Sequence, residues 1–165
     1  MSGESVKKRR VFTATITAVV DGQRRVTMPK IWRLPSDTPE TEFYLIPGRG
    51  RRIMILTEEK MNSVYDNVED ICFADGDKIL SLEDIASRIQ RVTLDKQGRF
   101  ALNPELAEFS GINEQAVFKG ALAYGILMAP ECAATDSPAP SNSSFDKFVE
   151  LETERRKANR AEQNQ

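Results

Sequence analysis

Phe12 to Val20 (FTATITAVV) alternates or accumulates β-branched residues. The pattern resumes from Arg25 to Met28 after the polar stretch Asp21-Gly22-Gln23-Arg24, which predicts strand, turn and strand. Pro29 ends the second strand, and Lys30 to Leu34 reads as a short helical turn before the loop from Pro35 to Pro39. Trp32, between apolar neighbours, is expected to plug the core. Phe43 to Ile46 and Ile53 to Leu56 are two further strand-like runs around a turn bearing Arg49, Arg51 and Arg52, a tip that either touches phosphate or keeps a hairpin soluble. Thr57 reads as an N-cap, Glu58 and Glu59 complement the helix dipole, and Met61, Val64, Tyr65 and Val68 recur at helical spacing. After Asp75-Gly76-Asp77, the capping-box pattern Ser81 to Asp84 predicts the start of a second helix, with Leu82, Ile85 and Ile89 along one side.

The second half repeats the first in order. Gln90 to Leu94 and Arg99 to Leu102 are strands around Asp95-Lys96-Gln97-Gly98, Pro104 opens a short helix over Glu105 to Phe109, and Gly111 sits at its left-handed cap. Ala116 to Lys119 and Gly125 to Met128 form a last hairpin. An Asp-x-x-x-Arg motif thus occurs twice, at Asp21 to Arg25 and Asp95 to Arg99, with a fixed offset of 74 residues and a proline following each copy. Asp at a turn entrance accepts backbone N–H bonds from residues ahead of it, and the following Arg can close over it. The motif therefore has both a structural and a ligand-contacting reading: the aspartates suit loop organisation, the arginines contact.

Charge divides the chain unevenly. The 165 residues sum to −2, yet residues 1–56 carry +6 and residues 57–87 carry −7. A cationic face backed by an acidic one suits a polyanion such as nucleic acid, although a solvated surface also produces such blocks. The acidic helices should then face away from that partner. With no histidine, no phosphate-binding loop, no nucleophile elbow and no paired-carboxylate spacing, the sequence argues against an enzyme. Cys72 and Cys132 lack zinc-ligand or redox spacing and read as two buried free thiols, so no metal and no cofactor are expected. No run reaches the length of a membrane span and the first ten residues lack an apolar signal segment, so a cytosolic protein is expected.

Asp21 with Arg25 and Pro29, Asp95 with Gly98, Arg99 and Pro104, and the stretch Gly111 to Gly120 together resemble the MraZ family of bacterial transcriptional regulators, built from two AbrB-type swapped-hairpin halves. The resemblance runs from about Val11 to Pro130. Arg24 stands where family members usually have Gly, and Thr13 and Ala14 replace a basic residue and a glycine. The resemblance implies an α+β fold: a β-rich double swapped-hairpin barrel from two pseudo-symmetric halves with a few short helices. It also implies ring-shaped homo-oligomers and binding of double-stranded DNA at direct repeats in the promoter of a cell-division and cell-wall gene cluster. The protein would be cytoplasmic and nucleoid-associated, with no membrane and no small-molecule substrate.

Carried onto this chain, the resemblance nominates Arg25 and Arg99 for DNA contact and Asp21 and Asp95 as the residues that organise their loops; Arg24 and the basic cluster Lys7, Lys8, Arg9 and Arg10 add charge for the same role. The expected organisation is a basic arm at 1–10, a first half at 11–75, a second half at 76–132, a Ser/Pro linker at 133–144 and a short amphipathic helix with a frayed tail at 145–165. Two rival readings stand beside it. One is an AbrB-like antitoxin whose last segment folds on a toxin; the other is a ring-forming scaffold that no longer binds DNA.

Overall fold

The structure, a computed structural model, describes residues 8–135 and 142–165; Lys7 and the part of the Ser/Pro segment at 136–141 lie outside the described residues. The chain divides into two compact units, the first ending at Ala133.

In the first unit the element order is β1 (Thr15–Val19), β2 (Arg25–Thr27), a 3₁₀ turn (Lys30–Trp32), β3 (Glu42–Pro47), β4 (Ile53–Thr57), α1 (Glu58–Val68), α2 (Gly76–Ala86), β5 (Gln90–Thr93), β6 (Arg99–Ala101), α3 (Pro104–Ser110), β7 (Gln115–Gly120), β8 (Gly125–Met128) and α4 (Pro130–Ala134). Six strands form one antiparallel sheet in the order β1-β7-β8-β4-β3-β5, and β2 pairs with β6 in a separate ribbon. The strands on either side of each Asp-x-x-x-Arg turn do not pair with one another. Instead β1 joins β7, β5 joins β3, and β2 meets β6, each partner coming from the other half. Exchanging the halves leaves the sheet order unchanged, so the fold has a pseudo-twofold axis.

The expected barrel does not close. β1 and β5 remain at the two edges of the sheet. Each Asp-x-x-x-Arg turn leads the chain out of its edge strand and into the ribbon, so neither edge strand continues toward the other.

The core lies where the halves interlock. Trp32 is fully buried and meets Phe12 (centroids 5.0 Å) and Phe118 (5.4 Å) edge-on, and Phe118 meets Phe100 in turn. Edge-to-face pairs of this kind add to simple burial. Trp32 Nε1 donates to the Thr13 carbonyl at 2.7 Å, which satisfies the one polar atom of the ring system.

Helix boundaries follow local chemistry with one correction. Thr57 accepts from the Lys60 N–H and caps α1, and Asn103 accepts from the Leu106 N–H at 2.8 Å and caps α3, which Gly111 ends at φ 70°. α2 begins at Gly76, capped by Asp75, and not at the Ser81 capping box; Ser81 lies inside the helix and its hydroxyl donates to the Asp77 carbonyl. Asp75, six residues earlier, accepts the Lys78 N–H and starts the helix first. α1 packs along β3 and β4, but neither α1 nor α2 contains a buried residue. Cys72 in the link between them is exposed, contrary to the expectation of two buried thiols, because this segment has no core of its own; Cys132 is partly buried.

The second unit contains α5 (Asn142–Gln163). It begins inside the expected linker and runs unbroken through the segment expected to fray. Helix-favouring Glu, Arg, Lys and Ala fill that segment, and the pairs Lys147–Glu150 and Glu152–Arg156 stitch successive turns.

Candidate nucleic-acid interface

The two Asp-x-x-x-Arg turns are built alike. In the first, Asp21 Oδ1 accepts the backbone N–H groups of Gln23 and Arg25, each at 2.9 Å, and Oδ2 accepts Arg25 Nε at 2.7 Å. In the second, Asp95 Oδ1 accepts the N–H groups of Gln97 and Arg99 at 2.9 Å, and Oδ2 accepts Arg99 Nε at 2.8 Å. The Asp21 N–H donates to the Arg25 carbonyl and the Asp95 N–H to the Arg99 carbonyl, closing each loop.

These bonds hold both carboxyls below the usual aspartate range. For Asp21 the Arg25 backbone N–H is the largest influence, ahead of an opposing effect of burial, with the Arg25 guanidinium and the Gln23 N–H adding to it. Asp95 repeats the pattern with Arg99 and Gln97. Hydrogen bonds to a carboxylate favour its charged form.

The residue before each arginine is left-handed, Arg24 at φ 58° and Gly98 at φ 77°. A side chain there costs backbone strain that glycine avoids. The turn keeps its left-handed backbone with Arg24 in the glycine position all the same; Ala14, likewise in place of a glycine, has φ 71°. The carbonyls of Arg24 and Gly98 accept from the N–H groups of Leu102 and Met28, so each turn is tied to the opposite half.

The ribbon places the arginines together. Arg25 is opposite Ala101, Val26 opposite Phe100, and Thr27 opposite Arg99. Val26 and Phe100 are buried, which turns Arg25, Thr27, Arg99 and Ala101 to the outer face. Arg25 and Arg99 occupy diagonal positions, roughly 7–8 Å apart at Cα. Because Asp takes each Nε, the forked ends of two oriented guanidinium groups remain for a ligand, although Arg99 Nη2 also meets Gln97 Oε1 at 3.3 Å. Lys96 and Arg24 flank this face and are exposed.

The rest of the predicted basic set divides. Lys8 and Arg9 are exposed. Arg10 is not available as an arm residue: its guanidinium forms a bidentate pair with Asp37, donates to the Trp32 carbonyl at 2.6 Å and lies 4.8 Å over the Phe43 ring. Burial raises the Asp37 pKa, but the Arg10 bonds, the Leu34 N–H and the charges of Arg10 and Arg33 outweigh it and hold the carboxyl below its ordinary value. Arg51 of the β3–β4 turn lies over Gly111 and donates to the Phe109 carbonyl at 3.3 Å, so it serves as a tether as well as a soluble tip. Sequence reasoning overlooked Asp37 and Arg33, since no local spacing links them to Arg10 or to Gly98.

A broad open depression of about 1420 Å³ adjoins the first turn, bordered by Asp21, Arg24, Glu108, Glu114 and Glu131. Its carboxylates disfavour a phosphate ligand. Among the described residues no cluster of metal-ligating side chains is present, and no helix is long and apolar enough to cross a membrane.

Over 121 residues the chain is 22% identical to the transcriptional regulator MraZ of Thermomicrobium roseum, a match covering 73% of this chain and 83% of that protein. The chain is a distant relative in sequence of an MraZ regulator. No family model matches it.

Proposed function

We propose that this chain is a transcriptional regulator that binds double-stranded DNA sequence-specifically through the outer face of the β2–β6 ribbon and catalyses no reaction. The observation that carries the reading is the pair of Asp-anchored arginines, Arg25 and Arg99, brought to one face by strands from opposite halves. Guanidinium forks oriented by carboxylates are well suited to phosphate and base edges. The similarity to a transcriptional regulator supports the same role. Lys8, Arg9, Arg24 and Lys96 supply further cations around it.

Several copies act together, in this proposal, as a ring on direct repeats upstream of a cell-division and cell-wall gene cluster, within the cytoplasm and on the nucleoid. Opposite charge on residues 1–56 and 57–87 and the exposed Val64, Tyr65, Leu80 and Ile85 favour contact between copies. Weak contacts from each subunit would then sum by avidity. The test is an electrophoretic shift on the gene's own upstream region at two salt concentrations. Binding should weaken steeply with salt and fall further in the Arg25→Ala/Arg99→Ala double variant, with the fold retained. A double variant that binds like the parent removes these arginines from the interface.

A further inference from the structure

Arg33 follows the 3₁₀ turn in the first half, but its side chain reaches the second turn. A Cβ at position 98 would stand 2.2 Å from Arg33 Nη1 and 2.8 Å from Cζ, so the guanidinium occupies the space that glycine leaves open. Arg33 Nε is sealed from solvent and has no hydrogen-bond acceptor among the described residues. Asp37 does not fill that role: it accepts from Arg10 and the Leu34 N–H, and Arg33 acts on it through charge without a hydrogen bond from Nε. Arg10, Asp37 and Arg33 together carry one net positive charge.

Because Nε is closed to solvent, an anion from outside meets Arg33 only through the rest of this partly exposed side chain, whose guanidinium lies over Gly98. The neighbouring residues of the second turn, Arg99 and Lys96, are also cationic. At the first turn the equivalent of Gly98 is Arg24, whose Nε already donates to the Leu102 carbonyl at 3.0 Å. The two turns match in backbone but differ in their cations.

We propose that Arg33 contacts a phosphate of bound duplex DNA over Gly98, making the second turn the stronger phosphate clamp. This rests on the DNA-binding reading above.

The experiment uses the full chain and a duplex from its gene's upstream region, with affinity measured from low to high salt for the parent, Arg33→Gln and Arg33→Lys. One phosphate contact contributes about 0.9 to the slope of log affinity against log salt, worth roughly eightfold between 1 M and 0.1 M salt. Arg33→Gln should lose that increment in slope and affinity with its melting temperature kept. Arg33→Lys, which retains the charge but not the fork, should keep the slope and lose part of the affinity; if Arg33→Gln does not fold, this variant decides, and parental affinity in it overturns the proposal. Parental binding with an unchanged Arg33→Gln variant overturns the role of Arg33 and leaves the DNA reading intact. Absence of duplex binding by the parent overturns both. Melting-temperature gain in inorganic phosphate over chloride at equal ionic strength, lost in Arg33→Gln without loss of duplex affinity, would assign the site to free phosphate and overturn the duplex contact.

Discussion

Arg10→Ala separates a fold role from a DNA role within the basic amino-terminal cluster. The Arg10 and Asp37 side chains are 9% and 17% exposed, so the substitution strands a largely buried carboxylate. Breaking one partner of a buried pair costs about 3–5 kcal/mol, and the residual access of Asp37 to water, its bond from the Leu34 N–H and the remaining charge of Arg33 place this case near the lower end. Loss of the cation over the Phe43 ring adds up to about 1 kcal/mol, and the Trp32 carbonyl also loses its donor. The expected total of about 3–4 kcal/mol lowers the melting temperature by roughly 8–12 °C at this chain length. Calorimetric or circular-dichroism melts would measure it, alongside duplex binding well below the transition. Adding Asp37→Ala should recover part of the loss, since the orphaned carboxylate is then gone. Lys8→Ala/Arg9→Ala should do the reverse, leaving melting alone and weakening binding. Should Arg10→Ala melt within about 2 °C of the parent while weakening DNA binding, the residue belongs to the arm and its pair with Asp37 contributes little to the fold.

Asp21→Ala and Asp95→Ala each remove an acceptor of two backbone N–H groups and a guanidinium, so melting temperature and duplex affinity should fall together; a drop in affinity without a drop in melting temperature would make the aspartates ligand contacts. Asp21, Asp37 and Asp95 are all held below the ordinary aspartate range in the folded protein, so their stabilisation is present above the unfolded value and is lost as pH falls through the folded ones. The melting temperature should be flat from about pH 7 to pH 5 and fall below about pH 4, with a shallower fall in Asp21→Asn/Asp95→Asn. Gly98→Ala should cost about 2 kcal/mol, from a left-handed backbone and collision with Arg33, whereas Arg24→Gly should change stability by less than about 1 kcal/mol because relief of strain offsets backbone entropy and the lost bond to Leu102. Urea titrations of both would check the contrast.

Most elements and the chemistry of the turns are legible in local residue patterns. Strand runs, the Thr57 cap, the proline opening and glycine end of α3, and the twice-written Asp-x-x-x-Arg all act within a few residues, where spacing and propensity decide the outcome. Ser81 shows the limit even there, since Asp75 competes as a cap six residues earlier and wins. Tertiary structure decided which strands pair, because β1 meets β7 about a hundred residues away and an edge strand carries no local mark of its partner. It also decided the fate of each cation. Arg9 and Arg10 are adjacent and alike in sequence, yet Arg10 is taken by Asp37 and the Phe43 ring while Arg9 faces water. Arg33 gains its position only because Gly98, from the other half, has no side chain to exclude it. Local patterns specify what a segment can form; whether a charge is spent inside the fold or left for a ligand depends on neighbours that only the packed chain supplies.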